Sequence, residues 1–111
     1  MAESKLFLKE SPTLADVQQY VRDMEAERGF TEQSASEKML LLVEEVGELC
    51  KVIRKHHTSL GIDSGKQYDF DLAGEIADVQ IVLMTVANRL GIDVEQAFRD
   101  KEEQNKKRTW K

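Results

Sequence analysis

Hydrophobic residues recur at three- and four-residue spacing in four segments of the chain, which is the period of an α-helix. The segments with this register are residues 14–24, 39–53, 72–90 and 94–98. From 81 to 87 nearly every position is apolar, so the third helix is predicted to be buried on more than one side. A single proline and six glycines suit helical structure. The pattern therefore predicts an all-α fold with four helices.

Residues with capping and turn preferences mark the ends of these helices. The predicted N-terminal caps are Ser11 ahead of Pro12, Ser34 or Ser36, Asp69 or Asp71, and Asp93 with Gln96 as a capping box. The predicted C-terminal ends of the first three helices are Gly29, His57 and Gly91. Residues 101–111 follow the fourth helix as a polar, mostly basic tail.

Size and composition limit the possible classes of protein. At 111 residues we expect one domain, with a core of about 12–106. A formal charge of −5 argues against a protein that binds nucleic acid through phosphate contacts. Cys50 is the only cysteine, so no intramolecular disulfide is possible, and its apolar neighbours predict a packed thiol. No segment resembles a signal peptide or a membrane span, and we expect a cytoplasmic location.

Two pairs of acidic residues lie within the apolar registers of the second and third helices. Glu45 and Glu48 form one pair, and Glu75 and Asp78 form the other. Residues three apart lie near one face of a helix, so two antiparallel helices would direct four carboxylates at one point. Carboxylates gathered in this way repel one another unless a cation lies among them. The spacing therefore predicts a divalent metal site.

The ligand types indicate which metal would bind. Hard oxygen ligands suit Mg²⁺ or Mn²⁺, whereas zinc would recruit histidine or cysteine, and the Glu-x-x-His motif of di-iron bundles is absent. The alternative is that the acids form surface ion pairs with neighbours such as Lys51 and Lys55. We interpret His56 and His57 as polar residues capping the second helix and not as ligands.

Mg²⁺ usually bridges to substrate phosphates, which makes a nucleotide or another polyphosphate the natural substrate class. Several side chains could bind the phosphate oxygens. They are Lys51 and Lys55 after the first acidic pair, and Lys101, Asn105 and Arg108 at helical spacing in the tail. The alternative is that the two lysines are solvated charges near a helix C-terminus and that the tail is structural or disordered.

The ordered set of motifs resembles the MazG-like, all-α nucleoside triphosphate pyrophosphohydrolases, which include the dCTP and dimeric dUTP pyrophosphatases. The motifs are Glu44-Glu45-Val46-Gly47-Glu48-Leu49, Glu75-Ile76-Ala77-Asp78-Val79, the preceding Glu27-Arg28-Gly29-Phe30, and the later Lys101, Asn105 and Arg108. The resemblance spans about residues 14–110.

The resemblance implies hydrolysis between the α- and β-phosphates of a nucleoside triphosphate, giving a monophosphate and pyrophosphate. It implies magnesium ligands at Glu45, Glu48, Glu75 and Asp78, and triphosphate contacts from Lys101, Asn105 and Arg108. Glu44 would orient water or a further metal, and a carboxylate near the metal, such as Glu45, would deprotonate the attacking water. Phe30 would lie near the base, although it could instead pack the turn after the first helix.

The resemblance also implies a homodimer or a dimer of dimers in which two chains complete each bundle. The apolar third helix predicts a partner subunit independently. The length suggests a stand-alone catalytic unit without the second domain of longer MazG proteins. Two alternatives stay open: a phosphoribosyl-ATP pyrophosphohydrolase of the same superfamily, and a helical interaction protein whose acids are inert.

Overall fold

The computed structural model of the protein describes residues 3–57 and 71–109. These residues form four helices, α1 (Leu14–Arg28), α2 (Ala35–His57), α3 (Leu72–Leu90) and α4 (Val94–Lys106). The described ranges contain no strand, which confirms the all-α prediction. None of the helices in these ranges is both long and apolar enough to cross a membrane. The fourth helix includes the first half of the segment predicted as a tail.

The start of α1 differs from the prediction. Thr13 is the N-cap: its hydroxyl accepts a hydrogen bond from the Asp16 N–H at 3.1 Å, and the Asp16 carboxylate accepts one from the Thr13 N–H at 2.8 Å. The prediction that Ser11 caps and Pro12 opens the helix was wrong. A reciprocal capping box pairs two N–H groups, whereas a serine cap pairs one.

The other predicted caps agree more closely with the structure. Ser34, Asp71 and Asp93 cap α2, α3 and α4, while Asp69 lies outside the described residues. The predicted capping box of α4 is only half formed. Asp93 accepts a hydrogen bond from the Gln96 N–H, but the Gln96 side chain donates to Asp100 at 2.8 Å. An acceptor one turn ahead has displaced the reciprocal bond.

The core lies between α1 and α3. Val21, Met24 and Met84 are its buried members. The partly buried side chains packed around them are Leu6, Leu14, Val17, Tyr20 and Ile81. The stretch from Met84 to Ala87 is buried, and α3 packs against both α1 and α2, which confirms burial of this helix on more than one side.

Gln18 joins α1 to the corner between α3 and α4. Its side-chain amide is buried and donates to Asn88 Oδ1 at 2.8 Å and to the Ile92 carbonyl at 2.7 Å. Its oxygen accepts a hydrogen bond from the Val94 N–H, the first residue of α4, at 2.9 Å. One side chain therefore determines how α4 leaves the end of α3.

Helix α2 packs along α3 but leaves much of its apolar surface exposed. Leu40 is 72% exposed and Val43 is 64% exposed. Cys50 is also exposed, so the predicted packed thiol was wrong, because among the described residues α3 packs against one side of α2 and leaves Cys50 uncovered. The radius of gyration is 17.4 Å, compared with about 13 Å for a compact domain of this length.

Candidate functional site

Three of the predicted acids meet between α2 and α3. Glu45 on α2 and Glu75 and Asp78 on α3 each offer a carboxylate oxygen, and these oxygens lie within 4.8 Å of one another. Glu45 and Glu75 are half-buried and Asp78 is exposed, so the cluster opens to solvent on one side. We call these three residues the acid cluster.

The electrostatics of the acid cluster favour a bound cation. Burial raises the pKa of Glu45 above its ordinary value, and the negative charges of Asp78, Glu75, Glu44 and Glu48 raise it further. Positive charge among the carboxylates would relieve this repulsion. The three donors are all carboxylate oxygens, with no histidine or cysteine among them, and such donors suit Mg²⁺ or Mn²⁺.

Glu48 and Glu44 lie beside the acid cluster and outside it. Both side chains are exposed on α2, and their charges are felt at Glu45. A helix turns about 100° per residue, so a residue three positions from Glu45 lies about 60° around the helix and one adjacent to it about 100°. This rotation separates Glu44 from the face of Glu45, whereas Glu48 has the same spacing from Glu45 as Asp78 has from Glu75 and lies outside the cluster.

The predicted phosphate-binding residues lie on two helices. Lys51 is exposed and Lys55 is half-buried on the C-terminal half of α2, the helix that carries Glu45. Lys101 and Asn105 lie on α4, and Arg108 follows the end of that helix. Since α4 packs against α1, the structure places these last three residues on a different pair of helices from the acid cluster.

Phe30 lies in the connection between α1 and α2, and the residue is 48% exposed. Its N–H donates to the Glu25 carbonyl at 2.9 Å, which continues the end of α1 at Gly29. His56 and His57 fall in the last turn of α2, the position from which we interpreted them as caps.

A buried ionic cluster that the sequence reasoning missed lies beside this connection. Glu25 is 2% exposed and Lys38 is 6% exposed. Arg89 donates to the two carboxylate oxygens of Glu25 at 2.9 and 2.8 Å, and Lys38 Nζ lies 3.0 Å from the same carboxylate. We call Glu25, Lys38 and Arg89 the ionic clamp.

Burial is the largest influence on the pKa of Glu25 and opposes ionisation, but the hydrogen bonds from Arg89 and Lys38 outweigh it. The pKa of Glu25 therefore lies below its ordinary value. The hydrogen bonds with Glu25 also raise the pKa of Arg89. A signal was present in the sequence, because Glu25 follows Val21 by four residues and so falls on the apolar face of α1.

The chain resembles known proteins in both sequence and structure. Residues 33–110 match the family model of the MazG nucleotide pyrophosphohydrolase domain. A dATP/dGTP diphosphohydrolase of Salmonella phage PMBT28 is 34% identical over 98 residues, which are 88% of this chain and 28% of the relative. This chain thus spans less than a third of the length of that relative.

The fold also matches a crystal structure of the "putative pyrophosphatase YPJD" from Bacillus subtilis. The TM-score is 0.72 at 27% sequence identity, and the match covers 91% of this chain and 100% of the other. The four helices therefore follow an arrangement that is already known from a solved structure.

Proposed function

The chain belongs to the MazG nucleotide pyrophosphohydrolase family, and we propose that it hydrolyses nucleoside triphosphates between the α- and β-phosphates. The products are a nucleoside monophosphate and pyrophosphate. The observation that carries the proposal is the acid cluster, in which carboxylate oxygens from two helices lie within 4.8 Å of one another. Such a site suits a divalent cation that bridges to phosphate oxygens.

We propose that Glu45, Glu75 and Asp78 hold this cation, which is Mg²⁺ with Mn²⁺ as a substitute. Glu48 lies about one turn after Glu45 on α2, and a change of its side-chain rotamer would add it to the ligands of the cation. A divalent cation held there supplies positive charge to the phosphate oxygens and makes a neighbouring water more acidic. A bound cation would offset the burial and the neighbouring negative charges that raise the pKa of Glu45.

The protein's own side chains would then move a proton and neutralise the substrate. Glu44 or Glu45 accepts a proton from the attacking water, whose oxygen forms the new bond to phosphorus as the α–β anhydride bond breaks. Lys51 and Lys55, which follow the acids on α2, neutralise the phosphate oxygens. Lys101, Asn105 and Arg108 add further donors to the triphosphate, and Phe30 stacks on the base.

We propose that two or more copies of the chain form the working enzyme. The exposed apolar residues of α2, including Leu40 and Val43, form a surface that a second copy would cover. The radius of gyration of 17.4 Å supports this arrangement, because a single chain is more extended than a compact domain. A second copy could also bring its α4 cations to the acid cluster.

The substrate class is a (deoxy)nucleoside triphosphate, and we propose a role in removing unwanted nucleotides from the cytoplasmic pool. The name of the phage relative, a dATP/dGTP diphosphohydrolase, supports testing dATP and dGTP first. The preference for one nucleobase would depend on the α1–α2 connection that carries Phe30, because the acid cluster would bind the phosphates through the cation.

Pyrophosphate release from canonical, deoxy and oxidised triphosphates, measured with Mg²⁺, tests the proposal. Asp78→Asn removes a charged ligand at nearly constant shape, and we expect at least a ~100-fold loss of kcat/KM. Asp23→Asn is the matched control, since Asp23 lies on α1 and its carboxylate accepts only from Gln19 among the described contacts. Full activity in Asp78→Asn, or no pyrophosphate from any triphosphate, would contradict the proposal.

A further inference from the structure

The ionic clamp and the acid cluster both lie along the packed pair of helices α2 and α3. Lys38 precedes Glu45 by seven residues on α2, and Arg89 follows Asp78 by eleven on α3. These separations are close to two and three whole helical turns, so each cation shares the face of the acid on its own helix. Because Lys38 and Arg89 meet at Glu25 while Glu45 meets Asp78, α2 and α3 are antiparallel.

Helical rise converts these separations into distances. Seven residues correspond to about 10 Å along α2 and eleven to about 16 Å along α3. The connection from α1 to α2 therefore lies toward one end of the α2–α3 pair, and the acid cluster lies further along the same pair. A nucleotide lying along this pair of helices would have its phosphates at the acids and its base toward the connection.

The clamp fixes that connection through its backbone. Besides binding Glu25, Arg89 donates to the Phe30 carbonyl and to the Gln33 carbonyl, each at 2.7 Å. Lys38 lies over the Phe30 ring, with its Nζ 5.8 Å from the ring centroid. The backbone of Phe30 is thus held by Arg89, and Lys38 lies near its ring, while 48% of the residue stays exposed.

We infer that Glu25, Lys38 and Arg89 are positioning residues that hold the α1–α2 connection, with the Phe30 ring, as a preformed platform for the nucleobase. The inference rests on the proposed function. Two buried charges and a half-buried third are a costly way to join helices, because apolar side chains of similar size often stabilise as well or better. A guanidinium differs in offering donors in a fixed plane, here directed at one carboxylate and two carbonyls. Loss of that geometry would loosen the platform and weaken base binding.

Arg89→Lys tests the inference because it keeps the charge beside Glu25 and cannot supply all of these hydrogen bonds. We expect KM for the best nucleotide to rise about tenfold, with kcat within about twofold. The inhibition constant of an abasic deoxyribose triphosphate, which lacks the base, should not change. In a Phe30→Leu background Arg89→Lys should add little, because the platform is already lost.

Arg22→Lys is the matched control, since Arg22 also reaches α3, at Asn88, without touching the connection. An unchanged KM in Arg89→Lys, or equal weakening of nucleotide and abasic triphosphate, would overturn the inference while the proposed function stands. No pyrophosphate from wild-type protein would instead refute the proposed function.

Circular dichroism would show whether Arg89→Lys folds. If it does not, Lys38→Met takes its place, because Glu25 then keeps both Arg89 hydrogen bonds. A rise in KM smaller than that of Arg89→Lys, again without a change for the abasic compound, is expected there, because Arg89 keeps its bonds to the connection and only the Lys38 contacts with Glu25 and the Phe30 ring are lost. An unchanged KM in folded Lys38→Met would overturn the inference.

Discussion

Replacing Glu25 with glutamine should destabilise the protein strongly. The Glu25 side chain is 3% exposed, and its two cationic partners, Lys38 and Arg89, are 8% and 19% exposed. The substitution keeps the volume but leaves two cations facing each other without their anion. Removing one partner of a buried ion pair costs about 3–5 kcal/mol. Arg89 keeps its hydrogen bonds to two carbonyls and stays partly exposed to solvent. We therefore expect a loss of stability near the lower end of this range, about 3 kcal/mol.

Urea denaturation followed by circular dichroism at pH 7 would measure this change, with protein concentration held constant. For a chain of 111 residues, 3 kcal/mol corresponds to a decrease in Tm of about 12 °C. Glu103→Gln is the control, because its ion pair with Lys106 is exposed at both ends and should matter by less than about 0.5 kcal/mol. A cost below about 1 kcal/mol for Glu25→Gln would refute the argument that the clamp depends on its central charge.

Three further outcomes can be measured with similar methods. The pKa of Glu25 is lowered from 4.5, so the stability that ionised Glu25 contributes to the fold should be complete above about pH 5 and should be lost as the pH falls through the lowered pKa. The urea midpoint of the wild-type protein should therefore fall more steeply in acid than that of Glu25→Gln. Gly91→Ala should cost about 1–2 kcal/mol in the same assay, because Gly91 has a φ of 68°. Gly47→Ala should instead gain up to about 1 kcal/mol, since its Cβ meets nothing within 4 Å; equal effects at both glycines would contradict this reasoning. Mg²⁺ at 100 times its Kd should stabilise the protein by about 2.7 kcal/mol in a thermal shift assay, and an equal shift in Asp78→Asn would exclude the acid cluster as the binding site.

The helices of the structure were largely predictable from local patterns. Apolar spacing identified all four, and the caps at Ser34, Asp71 and Asp93 followed from short-range chemistry. The errors were also local. At the start of α1, both Ser11 and Thr13 could cap the helix, and the sequence alone does not show that Thr13 forms a reciprocal capping box. On α4, the Gln96 side chain could donate either to the cap or to Asp100 one turn ahead, and the sequence does not rank these two acceptors.

The site was predictable only where helical spacing carried the information. Residues three apart on α3 brought Glu75 and Asp78 together, and they met Glu45 as the antiparallel pairing implied. The ionic clamp was not found, because Glu25 and Arg89 are 64 positions apart and their contact depends on how α1 packs against α3. Periodicity describes one helix at a time and contains no information about that packing.

Gln18 shows how narrowly one position can be restricted by its neighbours. The corner between α3 and α4 requires a side chain that donates twice and accepts once at one fixed reach. Glutamate has no proton to donate at neutral pH, lysine has no acceptor, and asparagine is one methylene shorter. No other of the twenty side chains meets all three requirements at that length. We therefore expect this inconspicuous glutamine to tolerate substitution less well than the apolar residues that surround it.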